Sequence, residues 1–389
     1  MIYLFWTLVF FVLYSYLFYP GIVCFLGALA GKNKYELAVP DEQNLPNITL
    51  LVTAFNEKKV VDQKIQNSYE LLYPKNKLTL LWVTDGSDDG TPEKVKQYPD
   101  VKVLHENARK GKIHAMNRAA AQVTTEIIVF CDANTLLTKD TLMQIAKHFQ
   151  DGRVGCVAGE KQIIKKDQTA AGSGEGFYWK YESWLKKLDY RFNTTLGAAG
   201  ELFAVRKKLF VPVESDTVLD DFIISLRIAA QNYVVAYEPK AIAREYPSYS
   251  VAEEMKRKIR IAAGGFQSLM RLLYLLNPIK HPRLAFQFIS HKVFRWLICP
   301  VAMVLLIPTH MLAAYQNQDQ PIYTYLLIIH LALYLLAFAG WQLEKHNIKS
   351  TWIYLPYYFI STNLAQLKGL VRYIKKSQSV NWERARRAS

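Results

Sequence analysis

The stretch RKGKIHAMNRAAAQVTTEIIVFCDANT, residues 109–135, decides the fold of this chain. A basic Gly-Lys turn leads into a helical pattern, and an apolar run then ends on Asp-Ala-Asn at 132–134. This order predicts a helix over 112–122 and a buried strand over 127–131. A strand that carries an acidic residue to its C-terminal end is typical of the ligand-binding edge of an open α/β sheet.

The same arrangement occurs upstream, in LTLLWVTDGSDDGT at 78–91. Its apolar start predicts a strand over 78–84, which ends at Asp85 and a turn rich in Gly, Ser and Asp. We therefore expect two strand ends to present carboxylates to one crevice.

Strands and helices alternate along the first half of the chain, which predicts a doubly wound, mostly parallel α/β sheet. Further strands are expected at 48–54, 101–104, 155–164, 198–206 and 233–239. The segments between and after them predict a helical turn at 92–97, a Gly-rich loop at 167–176, an aromatic amphipathic helix at 177–191, a helix that begins at Asp220, and a long basic amphipathic helix at 251–276.

The N-terminal segment 2–29 contains no charged residue and is long enough to cross a bilayer core of about 30 Å. We expect a transmembrane helix, kinked at Pro20-Gly21, that is retained as an anchor because the apolar run is too long for a signal peptide. Lys32 and Lys34 follow it and predict that this end, and the domain after it, lie on the cytoplasmic side of the inner or plasma membrane.

The C-terminal third predicts an interfacial helix and at least two further spans, at 297–315 and 322–341. In the interfacial helix, we expect Arg283, His291, Lys292 and Arg295 to face lipid headgroups, with Trp296 at the boundary. The segment 352–374 is interrupted by polar residues. It is either a third span or a re-entrant or interfacial segment that returns the basic tail to the cytoplasm.

A net charge of +15 could indicate nucleic-acid binding, but the basic residues cluster beside apolar segments, at 256–260, 279–295 and 372–387. An anionic membrane surface or a diphosphate ligand explains that distribution better, so we expect no nucleic-acid partner. The four cysteines have neither paired nor metal-ligand spacing, which suits buried apolar positions in a reducing compartment.

Six motifs in register resemble those of family 2 glycosyltransferases of the GT-A fold. They are TAFNE (53–57), DGSDDGT (85–91), GKIHAMN (111–117), DAN (132–134), GAAGE with VRK (197–207) and LDDF (219–222). The resemblance covers roughly residues 45–300. Within the family, the chain resembles the group of cellulose, hyaluronan and poly-N-acetylglucosamine synthases. It implies a membrane-bound inverting transferase that takes a sugar from a nucleotide-sugar donor, expected to be a UDP-sugar.

With the resemblance, the chain divides into a series of segments. We expect a transmembrane helix (1–30), a linker (31–47), a GT-A domain (48–250), basic amphipathic and interfacial helices (251–296), two or three membrane segments (297–375) and a basic tail (376–389).

The resemblance assigns the donor site to residues of the first motifs. The nucleoside is expected at Thr53, Ala54, Asn56, Glu57 and Asp85, although Asn56-Glu57 could instead cap the following helix. Lys112, at a helix start, suits the diphosphate because helix N-termini bind anions; otherwise it is a solvated lysine.

Asp132 and Asn134 correspond to the DxD motif that binds Mg²⁺ or Mn²⁺ in the resembling family. The asparagine removes one negative charge but keeps an oxygen ligand. The alternative interpretation is an Asx turn at a strand end.

Asp221 corresponds to the catalytic base of the resembling family, which takes the proton of the acceptor hydroxyl. Asp220 beside it would orient the acceptor or raise the pKa of the base, or it could simply cap the helix.

The acceptor side is expected at Gly197, Gly200 and Glu201, where small residues leave room for a sugar ring. Arg257 and Arg260 fall where processive synthases carry a QxxRW motif whose Arg contacts the diphosphate. Ile261 replaces its Trp, which argues against processive synthesis, and Trp382 in the tail is another aromatic that could serve.

Several functions remain open at this stage. The acceptor is a lipid-linked molecule or a glycan in envelope or exopolysaccharide synthesis, or the chain is a processive synthase that extrudes its product. Partner subunits of an export system and membrane lipids fit either. A non-catalytic sugar-nucleotide or polysaccharide-binding subunit, or a transporter, is the alternative from another class; retention of Asp85, Asp132 and Asp221 favours the enzyme.

Overall fold

The computed structural model describes residues 1–29, 37–164, 170–246, 251–345 and 351–379. Part of the predicted linker, part of the Gly-rich loop and most of the basic tail with Trp382 lie outside the described residues.

The described residues form one eight-stranded sheet in the order β3-β2-β1-β4-β7-β6-β8-β5. The strands are β1 Ile48–Ala54, β2 Leu78–Asp85, β3 Val101–Glu106, β4 Ile127–Asp132, β5 Leu136–Leu137, β6 Val154–Ile163, β7 Leu202–Arg206 and β8 Val234–Glu245.

The sheet is mixed. Strands β3, β2, β1 and β4 run parallel, as do β6 and β8. Strand β7 is antiparallel to both β4 and β6, and β5 is antiparallel to β8. The predicted α/β fold is confirmed, and β7 divides the parallel part from the rest. The edge strand beside β8 is the two-residue β5, which was not predicted because a strand so short leaves no periodic signal.

Helices cover both faces of the sheet and form the two apolar ends of the chain. They are α1 Ile2–Leu13, a π-helix Tyr14–Phe18, α2 Tyr19–Leu29, α3 Val61–Tyr69, α4 Thr91–Val95, α5 Lys112–Gln122, α6 Thr141–Ala146, α7 Ala170–Phe192, α8 Asp220–Ala230, α9 Val251–Arg271, α10 Pro282–Gln287, a π-helix Phe288–Ile298, α11 Cys299–Gln316, α12 Pro321–Lys345 and α13 Thr351–Ile374. Short 3₁₀ turns occur at Glu42–Asn44, Lys58–Val60, Lys75–Lys77, Lys147–Gln150, Lys207–Leu209 and Leu273–Leu276.

Several predicted boundaries differ from the structure, among them the end of β8, which continues six residues beyond its predicted end at 239 to Glu245. The backbone of 170–176 is helical and belongs to α7, although three glycines lower its helix propensity; propensity is a weak signal that tertiary context overrides. The strand expected from 198 begins at Leu202, since Gly200 and its neighbours form a turn closed by a bridge between Ala199 and Leu202.

The central strands are buried on both faces, as expected for a parallel sheet covered by helices. In β1, Leu50 and Val52 pack on the face that holds Ile65 of α3, whereas Leu51 packs on the opposite face, with Met116 of α5. Helix α8 also packs on this second face, and the same apolar cluster extends from it to residues of α9 and α10.

Three helical segments of the described part are long and apolar enough to cross a membrane: Ile2–Leu29, Pro282–Gln316 and Pro321–Leu343. The predicted interfacial helix and the span after it therefore form one continuous helix. Helix α13 does not meet these criteria and packs along α9 instead, where Lys258 donates a hydrogen bond of 3.2 Å to Thr362.

The expectation that basic residues of 282–298 face lipid headgroups is wrong for three of the four. Arg283 is exposed, but His291, Lys292 and Arg295 are only 1, 6 and 7% exposed. Their partners are carboxylates of α7, Glu182 and Asp189, which the sequence could not place beside them. Trp296, expected at the membrane boundary, packs instead on Phe222 with ring centroids 5.2 Å apart.

Candidate active site

The C-terminal ends of β1, β2 and β4 meet beside the first turns of α5 and α8. This edge gathers the residues predicted from separate motifs, because parallel strands deliver their carboxyl ends to the same side of a sheet. Thr53, the last residue but one of β1, donates a hydrogen bond of 3.3 Å to Asp132 at the end of β4.

Asp85 at the end of β2 fixes the turn before α5. Its carboxylate accepts the backbone N–H groups of Lys110 at 3.1 Å and Gly111 at 2.6 Å. Gly111 has φ +99°, a conformation that favours glycine, so the turn before Lys112 requires the glycine that the motif supplies.

Asn56 and Glu57 connect two loops and do not cap α3, whose N-cap is Val60 without a side-chain hydrogen bond. The side chain of Asn56 exchanges two hydrogen bonds with Asp88, at 2.7 and 3.0 Å. The backbone N–H of Glu57 is bound by Thr91 Oγ1 at 3.0 Å. The loops after β1 and β2 are thereby joined into one wall of the site.

A cleft opens at this wall. It is lined by Thr53, Ala54, Phe55, Asp85, Arg109, Gly111, Lys112 and Ala115. The guanidinium of Arg109 lies 3.9 Å from the ring centroid of Phe55, a cation–π contact at the mouth of the cleft. Sequence reasoning missed both residues, although an aromatic inside TAFNE and an arginine before Lys110-Gly111 were available as signals.

Lys112 is an ion-paired residue and not a solvated lysine. Its Nζ lies 2.9 Å from Asp132 Oδ1 and 3.7 Å from Asp220 Oδ2, and its side chain is 18% exposed. Burial alone would lower the pKa of Lys112, but Asp132, Asp220 and Asp221 outweigh burial and raise it. The lysine therefore stays charged and links β4 to α8.

The oxygens of the Asp-Ala-Asn segment suit a divalent cation. Burial raises the pKa of Asp132 and Lys112 acts against that rise. Among the described residues Asn134 Oδ1 is buried without a hydrogen-bond partner, as an oxygen reserved for an outside ligand would be. Carboxylate and amide oxygens are ligands that Mg²⁺ accepts.

Asp220 and Asp221 begin α8, but the N-cap is Leu219 and no side chain caps the helix, so the capping alternative for Asp220 is not observed. Burial, reinforced by the neighbouring charge of Asp220, raises the pKa of Asp221 to about 7. A carboxyl group with this pKa can accept and release a proton near neutral pH.

The residues expected on the acceptor side lie next to Asp221. A Cβ on Gly200 would be 3.7 Å from the Asp221 carboxyl group. Glu201 forms an ion pair with Lys161 and lies 3.8 Å from Arg257. These two cations hold the pKa of Glu201 well below its usual range although burial opposes them, so Glu201 is an ionised acceptor of hydrogen bonds.

Helix α9 brings Arg257 and Arg260 over the same edge. Arg257 bonds Glu254 at 3.1 Å besides its contact with Glu201. Burial and the adjacent Arg257 lower the pKa of Arg260, and the charges of Asp220, Asp132 and Asp221 counteract this. Ile261 is half-buried.

Two buried lysines support the site and were not expected from the sequence. Lys64 of α3 donates hydrogen bonds to Thr135 O at 2.6 Å and to Cys131 Sγ at 3.1 Å, beneath Asp132. Lys161 of β6 pairs with Glu245 at 2.8 Å as well as with Glu201. Neither belongs to a motif, so only the fold reveals them.

Known proteins are similar to this chain in sequence and in fold. The Glycosyl transferase family 2 model matches residues 49–211. The poly-beta-1,6-N-acetyl-D-glucosamine synthase of Staphylococcus aureus (strain COL) is 26% identical over 238 residues, 58% of this chain and 56% of the synthase. That of Staphylococcus epidermidis is 22% identical over 246 residues, 61% of this chain and 59% of the synthase. The matched region thus spans little more than half the length of these curated relatives.

A mannosyltransferase from Pyrobaculum calidifontis, solved in complex with GDP-Man and Mn²⁺, has the same fold. It superposes with a TM-score of 0.69 at 24% identity, covering 96% of this chain and 99% of its own. The resemblance inferred from the motifs is confirmed: residues 49–211 match the family 2 glycosyltransferase model, and the chain has a GT-A-like fold.

Proposed function

We propose that this protein is a membrane-bound, metal-dependent, inverting glycosyltransferase. It moves a sugar from a nucleotide-sugar, expected to be a UDP-sugar, to a glycan or lipid-linked acceptor in envelope or exopolysaccharide synthesis. The observation that carries the proposal is the group formed by Lys112, Asp132, Asp220 and Asp221 beside the cleft, within a family 2 domain.

The donor would occupy the cleft at the ends of β1 and β2. The ring of Phe55 offers a face for the base, and Asp85 holds the turn that shapes the cleft floor. Lys112, which pairs with Asp132 and Asp220, and Arg260, which interacts electrostatically with the same carboxylates, would bind the diphosphate.

A divalent cation, Mg²⁺ or Mn²⁺, would be held by the oxygens of Asp132 and Asn134 and would neutralise charge on the leaving diphosphate. The mannosyltransferase with the same fold was solved with Mn²⁺, which agrees with this choice of ion.

The reaction requires a base on the acceptor side. As the acceptor oxygen bonds to the anomeric carbon, the bond from that carbon to the diphosphate oxygen breaks and the hydroxyl proton passes to Asp221. The space at Gly200 admits the acceptor, and the ionised Glu201 accepts hydrogen bonds from its remaining hydroxyls. Displacement in one step inverts the anomeric configuration.

We place the domain on the cytoplasmic face of the inner or plasma membrane, with several spans. Support comes from the three apolar helices and from Lys32 and Lys34, which follow the first of them in the sequence. Membrane lipids and subunits of an export system are the partners that fit this position.

Processive synthesis is the second candidate, because the curated relatives are polymer synthases. Ile261 at the position of the family's tryptophan argues for short products instead. The length of the product formed from the identified donor distinguishes the two.

Release of nucleoside diphosphate by detergent-purified protein tests the proposal, with a panel of UDP-, GDP- and TDP-sugars and Mn²⁺ or Mg²⁺. We expect release from one donor, dependent on metal and abolished in Asp221→Asn and Asp132→Ala. Asp216→Asn is the matched control, because Asp216 is 60% exposed and pairs with Arg271 outside the site. Binding of a nucleotide-sugar without turnover, with acceptor lipids and oligosaccharides supplied, would favour the non-catalytic subunit.

A further inference from the structure

The ammonium group of Lys112 already neutralises the carboxylates that a metal-dependent reaction needs. It lies 2.9 Å from Asp132 Oδ1 and 3.7 Å from Asp220 Oδ2, and the two carboxylate side chains are only 13 and 9% exposed. Charges so poorly exposed to water interact strongly, because solvent screens them little. The site therefore contains a cation of its own.

The hydrogen bonds show which carboxylate oxygen Lys112 already occupies. Asp132 Oδ1 accepts from both Lys112 and Thr53, whereas Asp220 Oδ2 and Asn134 Oδ1 have no hydrogen-bond partner among the described residues. A divalent cation that takes Asp132 would meet the positive charge of Lys112 at the same atom. Lysine has a flexible four-carbon stem and can leave that atom if another anion accepts its charge.

We propose that Lys112 competes with the divalent cation for Asp132, so that the cation binds tightly only together with a nucleoside diphosphate, whose phosphates accept the displaced ammonium. This inference rests on the proposed function for the identity of metal and diphosphate. It adds a reason for ordered use of the site: metal alone is disfavoured, and the donor brings the negative charge that releases Lys112 from Asp132.

Two consequences separate this role from that of a simple phosphate contact. A phosphate contact predicts that loss of Lys112 weakens nucleotide binding and leaves the affinity for metal alone unchanged. Competition predicts that loss of Lys112 strengthens the binding of metal alone. It also predicts a smaller mutual enhancement between metal and nucleotide, which is the same whichever ligand binds first.

The test measures Mn²⁺ binding to the full chain in detergent by electron paramagnetic resonance, without nucleotide and with UDP or GDP. For Lys112→Met we expect Mn²⁺ alone to bind on the order of tenfold more tightly than to wild type. We also expect Mn²⁺ and the diphosphate to enhance each other less in this variant. Lys112→Arg keeps the charge and should keep the wild-type affinity. Lys94→Met is the matched control, because Lys94 pairs with Asp62 at 2.6 Å, away from the residues of the site.

Equal affinity of wild type, Lys112→Met and Lys94→Met for Mn²⁺ alone would overturn the inference. So would wild-type protein that binds Mn²⁺ as tightly without UDP or GDP as with either. Lys112→Gln repeats the measurement if the methionine variant loses the wild-type melting temperature. None of these readouts needs turnover, so failure here leaves diphosphate release as a separate test of the transferase function.

Discussion

Gly200 faces the carboxyl group of Asp221, and a Cβ on this glycine would lie 3.7 Å from both Cγ and Oδ2 of the aspartate. That distance is ordinary van der Waals contact, so Gly200→Ala should fold normally while its methyl group fills space intended for the acceptor. We expect the acceptor KM to rise roughly tenfold with little change in donor hydrolysis, since one misplaced methyl in a pocket has about this effect. Steady-state kinetics with varied acceptor measure it; an unchanged acceptor KM would place the acceptor elsewhere.

Gly197 lies in the same motif, but its replacement by alanine should destabilise the fold, unlike that of Gly200. It has φ +94°, and a Cβ there would lie 2.5 Å from Cδ2 of Phe222, the residue after Asp221. Gly197→Ala should lose about 1–3 kcal/mol of unfolding free energy from backbone strain alone. Its kcat should also fall, because Phe222 must shift. Thermal unfolding and diphosphate release report the two effects. Gly152→Ala, where a Cβ meets nothing within 4 Å, is the control and should match wild type.

The pKa of Asp221, raised to about 7 by burial and by Asp220, predicts the pH dependence of transfer. Below that pH the carboxyl group carries a proton and cannot accept one from the acceptor hydroxyl. We expect kcat/KM for the acceptor to fall as pH drops through about 7, and Asp220→Asn to move the midpoint downward, because it removes a neighbouring negative charge. A flat profile between pH 6 and 8 would contradict the role of Asp221 as base.

Protein stability gives an independent readout of the same pKa. A carboxyl group whose pKa is higher in the folded than in the unfolded state stabilises the fold least at high pH, because folding then disfavours the charged form. Asp221→Asn should therefore melt at a higher temperature than wild type, with a difference that is small near pH 4, grows toward pH 7 and is constant above it. A gain in melting temperature that does not vary with pH would indicate repacking instead.

The sequence predicted the half of the site that comes from strands and local turns. Strand β1 matches its predicted bounds, and β4 ends one residue later than predicted, at Asp132. Such strands can be predicted from the sequence because both of their faces are buried, so that the run of residues is continuously apolar. The Gly-Lys turn and α5 could also be predicted from local sequence, because Gly111 directly precedes the first residue of the helix.

The rest of the site depends on contacts between distant parts of the chain. Lys64 looks like a surface lysine in VDQKIQNSY, yet it has no exposed area and holds Thr135, 71 residues away. Lys161 likewise reaches Glu201 across 40 residues. Hydrophobic periodicity and short motifs report on residues within one helix or strand. They could not show which other helix or strand would cover these lysines.

The pair formed by Glu182 and Arg295 should be essential for stability. Arg295 Nη1 lies 3.0 Å from Glu182 Oε2, with side chains 7 and 10% exposed. Removal of one partner leaves a buried charge, so Arg295→Met and Glu182→Met should each cost about 3–5 kcal/mol of unfolding free energy. The double variant should recover part of this cost, as thermal unfolding in detergent would show. Additive losses would mean that the two residues act separately, as the headgroup interpretation of Arg295 requires.

The contact between α13 and α9 links the last described helix to the arginines of the site. A Cβ on Gly369 would collide with Ala262, and Lys258 lies 3.5 Å from the ring centroid of Tyr358. Gly369→Val should push α13 from α9, lower the melting temperature and reduce diphosphate release, because α9 also carries Arg257 and Arg260. Gly21→Ala, where a Cβ meets nothing within 4 Å, should match wild type.

The milder Gly369→Ala should be rescued in part by Ala262→Gly, which removes the clashing Ala262 methyl group but leaves backbone atoms of Ala262 and Ala263 within 3.0 Å of the added Cβ. The new glycine costs about 1 kcal/mol in a helix. Full release by Gly369→Val at wild-type stability would mean that α13 does not hold α9 in place.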